Sequence, residues 1–172
     1  MLTIRFPHLA LAAALITLVP SITDAAVYSN GSKTTTFDVT MKIIADCTIA
    51  AAPLSFGTSQ GVLAVAVAAT TTLSVTCTNT TLYNVGLNAG SGTGSTIATR
   101  YMSGTGGNLG VVQFNLFQTL GANNWGNTQG TDTQSGTGSG AAQTLTVYGQ
   151  VPAQLTPAPD NYKSTITATV YF

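Results

Sequence analysis

The stretch Ser164-Thr-Ile-Thr-Ala-Thr-Val-Tyr-Phe172 decides the fold. Its apolar residues Ile166, Ala168, Val170 and Phe172 occupy every second position and alternate with threonine and tyrosine. A period of two is that of a β-strand with one buried face. The pattern predicts a strand that runs to the end of the chain, and a sandwich that stops on such a strand leaves the neighbouring edge unpaired. We therefore expect another strand to fill that edge.

A second strand-like stretch, Thr34-Thr-Thr-Phe-Asp-Val-Thr-Met-Lys-Ile-Ile44, stands before the first cysteine. In an extended strand one face carries four apolar side chains of mixed size, which are Phe37, Val39, Met41 and Ile43. Such a row suits successive pockets of a groove. A domain that lacks a closing strand and carries a spare one can be completed by a second copy of itself. The alternative, that Thr35–Ile44 pairs within its own domain, fits the same alternation.

The rest of the chain favours a β-sandwich, because no sustained 3.6-residue periodicity follows residue 25 and Thr, Val, Gly, Asn and Ser dominate. The segment Val62–Thr72 is compatible with a strand or with a short helical turn. The predicted strands are Thr35–Ile44, Cys47–Ala50, Leu54–Phe56, Leu63–Val67, Thr71–Thr78, Tyr83–Leu87, Val111–Phe117, Gln143–Tyr148 and Tyr162–Phe172.

Two long stretches rich in Gly, Ser, Thr and Asn, Asn88–Gly110 and Gly121–Gly140, are predicted to be surface connections within one sandwich. The second contains Trp125. Exposed aromatic rings often stack on sugars, so Trp125 is a candidate ligand-stacking residue. The alternative is that its ring folds back over the edge of the sandwich.

The amino terminus predicts an export signal over residues 1–25, with a basic start at Arg5, an apolar stretch from Leu9 to Val19 and small residues before Ala26. The apolar run is too short for a transmembrane anchor. We expect a product that is exported through the periplasm to the cell surface or secreted, with no stable membrane insertion.

Charged residues make up 6% of the chain, against about one quarter in a typical domain. No basic cluster exists that would attract nucleic acid or anionic lipid. The one histidine, His8, lies in the predicted signal, so no histidine base remains for a serine or cysteine nucleophile. The sequence also lacks a close carboxylate pair and a phosphate loop. We therefore expect no enzyme activity, no cofactor and no metal.

The chain has two cysteines, Cys47 and Cys77. In an exported protein an even number favours a disulfide, and two sulfurs without histidine cannot complete a structural zinc site. We expect a disulfide that joins two strands.

Several ordered motifs cover nearly the whole chain after the signal. They are the strand before Cys47, Leu54-Ser-Phe-Gly57, Leu73-Ser-Val-Thr-Cys77, Tyr83-Asn-Val-Gly-Leu87, Val111-Val-Gln-Phe-Asn-Leu-Phe117, Tyr148-Gly-Gln-Val-Pro152 and the aromatic-ended last strand. In this order and with these two cysteines, the chain resembles the spore coat protein U family, which includes the pilins of archaic (Csu-type) chaperone–usher pili.

The resemblance implies an incomplete immunoglobulin-like β-sandwich that lacks its final strand. In this family a periplasmic chaperone lends a strand to the open groove, and at the outer-membrane usher the amino-terminal extension of the next subunit replaces it. The implied domains are residues 1–25 as signal peptide, 26–45 as donor-strand extension and 46–172 as pilin domain. The implied donor residues are Phe37, Val39, Met41 and Ile43, and the implied acceptor-groove and chaperone-binding residues are Ile166, Ala168, Val170, Tyr171 and Phe172.

The expected function is that of a structural pilus subunit, which binds copies of itself or sibling pilins and supports adhesion and biofilm formation. Two alternatives stay open at this point: a secreted coat or matrix protein of the same fold, and a carbohydrate-binding adhesin module.

Overall fold

The protein consists of antiparallel β-strands in two sheets, as seen in a computed structural model that describes residues 31–58 and 60–172. The described residues contain no helix. The strands are β1 (Cys47–Ala51), β2 (Val67–Cys77), β3 (Leu82–Leu87), β4 (Arg100–Gly104), β5 (Val111–Thr119), β6 (Ala122–Asn124), β7 (Gln134–Thr137), β8 (Ala142–Val151), β9 (Tyr162–Lys163) and β10 (Ala168–Tyr171). The larger sheet has the order β1-β2-β8-β5-β4-β9, with β6 beside β5, and the smaller has the order β10-β3-β7.

The inward faces of these strands form one apolar core, which confirms the predicted all-β class. On β2 the side chains of Leu73, Val75 and Cys77 are buried, and on β5 those of Phe114 and Leu116 are buried, as the alternation predicts. The smaller sheet contributes the buried side chains of β3, which are Tyr83, Val85 and Leu87. The polar residues between them are at least partly exposed, as expected for strands with one face toward the core.

The predicted disulfide is present between Cys47 and Cys77, with an S–S distance of 2.04 Å. The two residues face each other at the first position of β1 and the last position of β2. The disulfide therefore ties the edge strand β1 to β2 at one end of the sandwich.

Strand directions define two ends of the sandwich. Strand β2 runs toward the disulfide and β8 runs away from it. Strand β3 starts a short turn after Cys77, and β10 is antiparallel to β3, so β10 runs toward the disulfide. We call the end at Cys47 and Cys77 the disulfide pole, and the end at Val67, Val151 and Tyr162 the far pole.

Three predicted strands lie wholly or mostly outside the sheets. Residues 31–46 form no strand, and Leu54–Phe56 is also outside the sheets, although Leu54 and Phe56 pack against the core from a loop. Leu63 is buried but lies before the start of β2. Its N–H donates to Thr156 Oγ1 and its carbonyl oxygen accepts from the N–H of Gln154, so neither group pairs with a strand. The segment Val62–Thr72, which the sequence predicted as either a strand or a helical turn, belongs to a strand only from Val67 onward and contains no helical turn.

The expected last strand, Tyr162–Phe172, is divided between the two sheets. Strand β9 pairs with β4 in the larger sheet and β10 pairs with β3 in the smaller one. The chain crosses from one sheet to the other between β9 and β10. Sequence alternation cannot reveal this crossing, because the residues before and after it alternate in the same way.

The two predicted surface connections also contain strands. Asn88–Gly110 includes β4, which lies between β5 and β9, and Gly121–Gly140 includes β6 and β7. The predicted signal peptide, residues 1–25, and residues 26–30 of the predicted extension lie outside the described residues. No described helix has the length and apolarity to cross a bilayer.

Candidate functional site

A groove opens between the two sheets where their edge strands β1 and β10 meet. β10 is the edge of the smaller sheet, and among the described residues no strand pairs with its outer side. β1 is the edge of the larger sheet and lies across the sandwich from β10. The groove is lined on one side by the end of β1 and the loop that follows it, and on the other by the segment that crosses from β9 to β10.

The groove consists of two adjoining cavities. One, of about 500 Å³, is lined by apolar residues of both sheets and by the crossing segment, which include Leu54, Phe56, Leu73, Leu87, Met102, Phe114, Leu116, Val147, Ile166 and Ala168. The other, of about 580 Å³, shares Leu54, Phe56 and Met102 with it and extends to Tyr162 at the far pole. Only one charged residue, Lys163, lines the first cavity and one, Asp160, the second. An elongated apolar site of this kind fits a row of apolar side chains.

Two members of the predicted row of the last strand, Ile166 and Ala168, line one wall of the groove. Ile166, Ala168 and Val170 are half-buried and pack against the core, whereas Thr165 and Thr167 point to solvent. Phe172, predicted as the last member of the row, is more than half exposed and does not pack against the core. Tyr171 lies on the opposite face, where its hydroxyl hydrogen bonds to Asn127 Oδ1 at 3.0 Å.

The crossing segment between β9 and β10 is fixed by the loop that follows β3. Thr167 donates its N–H to Asn88 Oδ1 at 2.9 Å and accepts a bond from the N–H of Asn88 at 3.1 Å. Thr165 exchanges similar bonds with Ser91. Gly90, at a φ of 88°, lies between them, and a Cβ there would come within 2.7 Å of Ile166 Cδ1. The loop thus sets the position of Ile166 in the wall.

Arg100 holds this loop from inside the protein. Its side chain is fully buried and donates to four main-chain oxygens, those of Leu87, Asn88, Ile97 and Trp125, at 2.6–3.3 Å. Burial lowers the pKa of Arg100 to about 10, and the carboxylate of Asp132 acts in the opposite direction. The guanidinium therefore stays charged near neutral pH.

Sequence reasoning missed this role of Arg100, since it placed the residue in a surface loop. The available signal was its position: Arg100 is one of only five basic residues and stands directly before Tyr101-Met102 in an otherwise Gly-, Ser- and Thr-rich stretch.

The proposed sugar-stacking role of Trp125 is wrong in this structure. The side chain is 1% exposed and belongs to the core, and its indole N–H donates to the carbonyl oxygen of Val85 at 2.7 Å. Neither face of the ring is open to a sugar. Burial of this indole is favoured because Val85 on β3 supplies a backbone acceptor for its N–H.

The four predicted donor side chains are exposed. Phe37, Val39, Met41 and Ile43 show 75–87% of their surface to solvent. Met41 and Ile43 do not line the groove. Clustered exposure of large apolar side chains is typical of interaction sites.

The comparison with protein families identifies the chain. A family model described as "Spore Coat Protein U domain" matches residues 33–169, so the match includes the segment before Cys47. The chain belongs to the spore coat protein U family. The resemblance found in the sequence motifs is thereby confirmed. No curated protein sequence matches this family member.

A solved structure shares its fold. It is the crystal structure of the CsuC–CsuE chaperone–tip adhesion subunit pre-assembly complex from archaic chaperone–usher Csu pili of Acinetobacter baumannii. One of its chains superposes with a TM-score of 0.55 at 23% sequence identity, over 76% of the present chain and 40% of that chain. The present protein thus spans less than half of that chain, and at this identity the likeness concerns the fold.

Proposed function

We propose that this spore coat protein U family member is a structural subunit of a cell-surface pilus, in which the segment Thr35–Ile44 of a neighbouring copy fills the groove beside β10. The observation that carries the proposal is the apolar groove next to a strand edge that no described strand pairs. The exposed apolar row of Phe37, Val39, Met41 and Ile43 supplies an occupant of matching chemistry.

The energetics favour such an exchange. Burying four apolar side chains contributes about 1.5–3 kcal/mol each, or about 6–12 kcal/mol in total before the entropy of ordering is counted. An added strand also forms backbone hydrogen bonds with the outer edge of β10. It removes the bare edge that would otherwise promote unspecific pairing.

Strand polarity favours a donor from another molecule. Every strand pair in the sheets is antiparallel, and a donor antiparallel to β10 must run from the disulfide pole to the far pole. Its last apolar residue, Ile43, then lies at the far pole, whereas Cys47 of the same chain lies at the disulfide pole. The four steps from Ile43 to Cys47 span at most about 14 Å, which is shorter than the roughly 20 Å covered by a seven-residue donor strand.

The partners follow from this mechanism. A subunit with an open groove needs protection before assembly, and the fold neighbour is described as a chaperone–subunit pre-assembly complex. We extend that role to the present chain: a periplasmic chaperone occupies the groove first, and an outer-membrane usher exchanges it for the next subunit. The product is a surface fibre that supports adhesion and biofilm formation.

The test compares two substitutions on opposite faces of the donor segment. Val39→Arg places a charge in the groove, and we expect it to abolish SDS-resistant polymers while leaving the chaperone complex intact. Thr40→Arg, one residue away on the other face, is expected to preserve the polymers. Both are read as ladders on unheated gels of cell-surface extracts. Polymers that persist with Val39→Arg would falsify the proposal, and so would equal loss with Thr40→Arg.

The adhesin alternative loses its main support because Trp125 is buried in the core. No other described feature favours a sugar site over the strand-acceptor groove.

A further inference from the structure

Three large apolar side chains are exposed together at the far pole. Leu109 is 98% exposed and Leu155 is 96% exposed, and Val62 is also largely open to solvent. We call these three residues the far-pole patch. Each lies in a different loop: Val62 precedes β2, Leu109 joins β4 to β5, and Leu155 follows β8. Neither the donor row nor the acceptor wall includes them.

Hydrogen bonds hold the three loops side by side. The N–H of Gln154 donates to the carbonyl oxygen of Leu63, and the N–H of Leu63 donates to Thr156 Oγ1, so Val62 and Leu155 flank the same contact. The side chain of Asn108 donates to the carbonyl oxygen of Ala158 at 3.2 Å and to the hydroxyl of Tyr162 at 2.6 Å. The loops are therefore fixed by hydrogen bonds of the backbone and of polar side chains, which do not involve the exposed apolar side chains.

The far-pole patch adjoins the mouth of the groove. Val62 itself lines the cavity that ends at Tyr162 and Pro157, and Leu155 is two residues before Pro157. An occupant that leaves the groove at this end must pass the patch.

Strand polarity identifies what passes there. If the proposed function holds, a donor strand antiparallel to β10 ends at the far pole with its Ile43. Only Ile44, Ala45 and Asp46 then separate the donor from Cys47 of its own domain. The disulfide pole of the second copy is thereby held within about 14 Å of the acceptor's far pole.

The disulfide pole of that second copy also presents an apolar side chain. Leu82 is largely exposed at the start of β3. The turn before it is hydrogen-bonded to Asp46, the last residue before Cys47. Thr78 donates its N–H to the carbonyl oxygen of Asp46 at 2.9 Å, and Thr78 Oγ1 accepts a bond from the N–H of Asp46 at 3.1 Å. The turn therefore lies close to the residues that connect the donor strand to its own domain.

We propose that the far-pole patch is a second contact between successive copies of this chain, and that it docks against the turn Thr78–Leu82 of the donor copy. This inference rests on the proposed function and adds a contact outside the groove. The strand in the groove joins two subunits, and the patch restricts the angle between them by burying apolar surface that an isolated subunit leaves open.

The test places a photoreactive benzoylphenylalanine at position 155 of the full chain, with the same probe at position 120 as control. Leu120 is a partly exposed apolar residue on the turn between β5 and β6, remote from the far pole. After illumination of assembled fibres, we expect mass spectrometry to find position 155 linked to residues 78–82 of another copy and position 120 linked to none of them.

A substitution gives an independent measurement. We expect the double variant L109S/L155S to retain the SDS-resistant ladder but to broaden the distribution of angles between successive subunits in electron micrographs, while Leu120→Ser leaves that distribution unchanged. A normal ladder with no link from position 155 to the turn, or with an unchanged angle distribution, overturns this inference and leaves the proposed function standing. Absence of a ladder from the unsubstituted chain overturns the proposed function itself, and the inference with it.

Discussion

Arg100 donates a hydrogen bond from Nη2 to the carbonyl oxygen of Trp125 at 2.6 Å, and both side chains are buried. The same guanidinium bonds through Nε to the carbonyl oxygen of Asn88. Asn88 in turn fixes Thr167 through its side chain and backbone. A continuous chain of hydrogen bonds therefore connects the core at Trp125 to the acceptor wall of the proposed groove.

Replacement of Arg100 is expected to be costly. Arg100→Met leaves four main-chain oxygens without their donor, and each buried unsatisfied acceptor costs about 1–3 kcal/mol. We expect the free energy of unfolding to fall by roughly 3 kcal/mol or more, measured by urea denaturation with a saturating peptide of residues 33–46. Lys33→Met, which removes an exposed cation that does not line either cavity, is the control and should change little. Equal stability of the two variants would contradict the role assigned to Arg100.

The contribution of Arg100 to the free energy of unfolding should not depend on pH near neutrality. Burial lowers the pKa of Arg100 from the ordinary arginine range to about 10, with Asp132 opposing the shift. Between about pH 10 and the ordinary arginine pKa, the unfolded chain keeps more of this proton than the folded chain does, so the contribution of Arg100 to stability rises with pH within that window. Below it, both states are protonated. We expect the difference in unfolding free energy between the unsubstituted chain and Arg100→Met to be the same at about pH 6 and about pH 8, and a change between them would contradict this pKa.

Alternation predicted the parts of the fold that have one buried face. The inward positions of β2 and β5 and the half-buried row Ile166, Ala168 and Val170 lie where the pattern placed them. These elements are predictable because side-chain direction in a strand depends on the local backbone alone.

Other elements depend on contacts that are distant in sequence. Strand β4 lies in a stretch rich in Gly, Ser and Thr and is held by β5 and β9 and by buried Arg100. Leu54 and Phe56 look like a strand but enter the core from a loop, because Gly149 on β8 leaves space for them. Trp125 stands among loop residues, and only the fold brings the carbonyl oxygen of Val85 to its indole. For β4 and for Trp125, the local composition favoured a surface loop.

Gly149 is expected to be essential for the floor of the groove. A Cβ at this position would lie 2.5 Å from Leu54 Cδ2 and 2.9 Å from Phe56 Cζ. Gly149→Val should therefore displace both side chains from the groove, and overpacking of this kind typically costs about 1–3 kcal/mol. We expect weaker binding of a fluorescent peptide of residues 33–46, measured by anisotropy. Thr146→Val, on the exposed face of the same strand, is the control and should leave the affinity unchanged.

The disulfide is expected to stabilise the folded chain because it lowers the conformational entropy of the unfolded chain. The two cysteines are 30 residues apart, and closing a loop of this length contributes about 3–4 kcal/mol on the chain-entropy model. We expect the double variant C47A/C77A to lose about this amount in urea denaturation. The reductant dithiothreitol should then destabilise the unsubstituted chain but leave the double variant unchanged. Sensitivity of the double variant to the reductant would show that another effect is being measured.

The acceptor wall can be tested on adjacent residues of the crossing segment. Ile166 packs against the core in the groove and Thr167 points to solvent, so Ile166→Arg introduces a charge into the groove and Thr167→Arg does not. Loss of one apolar contact of about 1.5–3 kcal/mol corresponds to a loss of affinity of at least about tenfold for the peptide of residues 33–46. Thr167→Arg is expected to change the affinity by no more than about twofold, as for most surface substitutions. Circular dichroism of both variants checks that the sheets are intact.

The peptide with Val39→Arg should bind weakly to the unsubstituted chain, because the same pairing is then broken from the donor side. Equal affinity of the two acceptor variants for the unsubstituted peptide would show that the donor strand binds elsewhere.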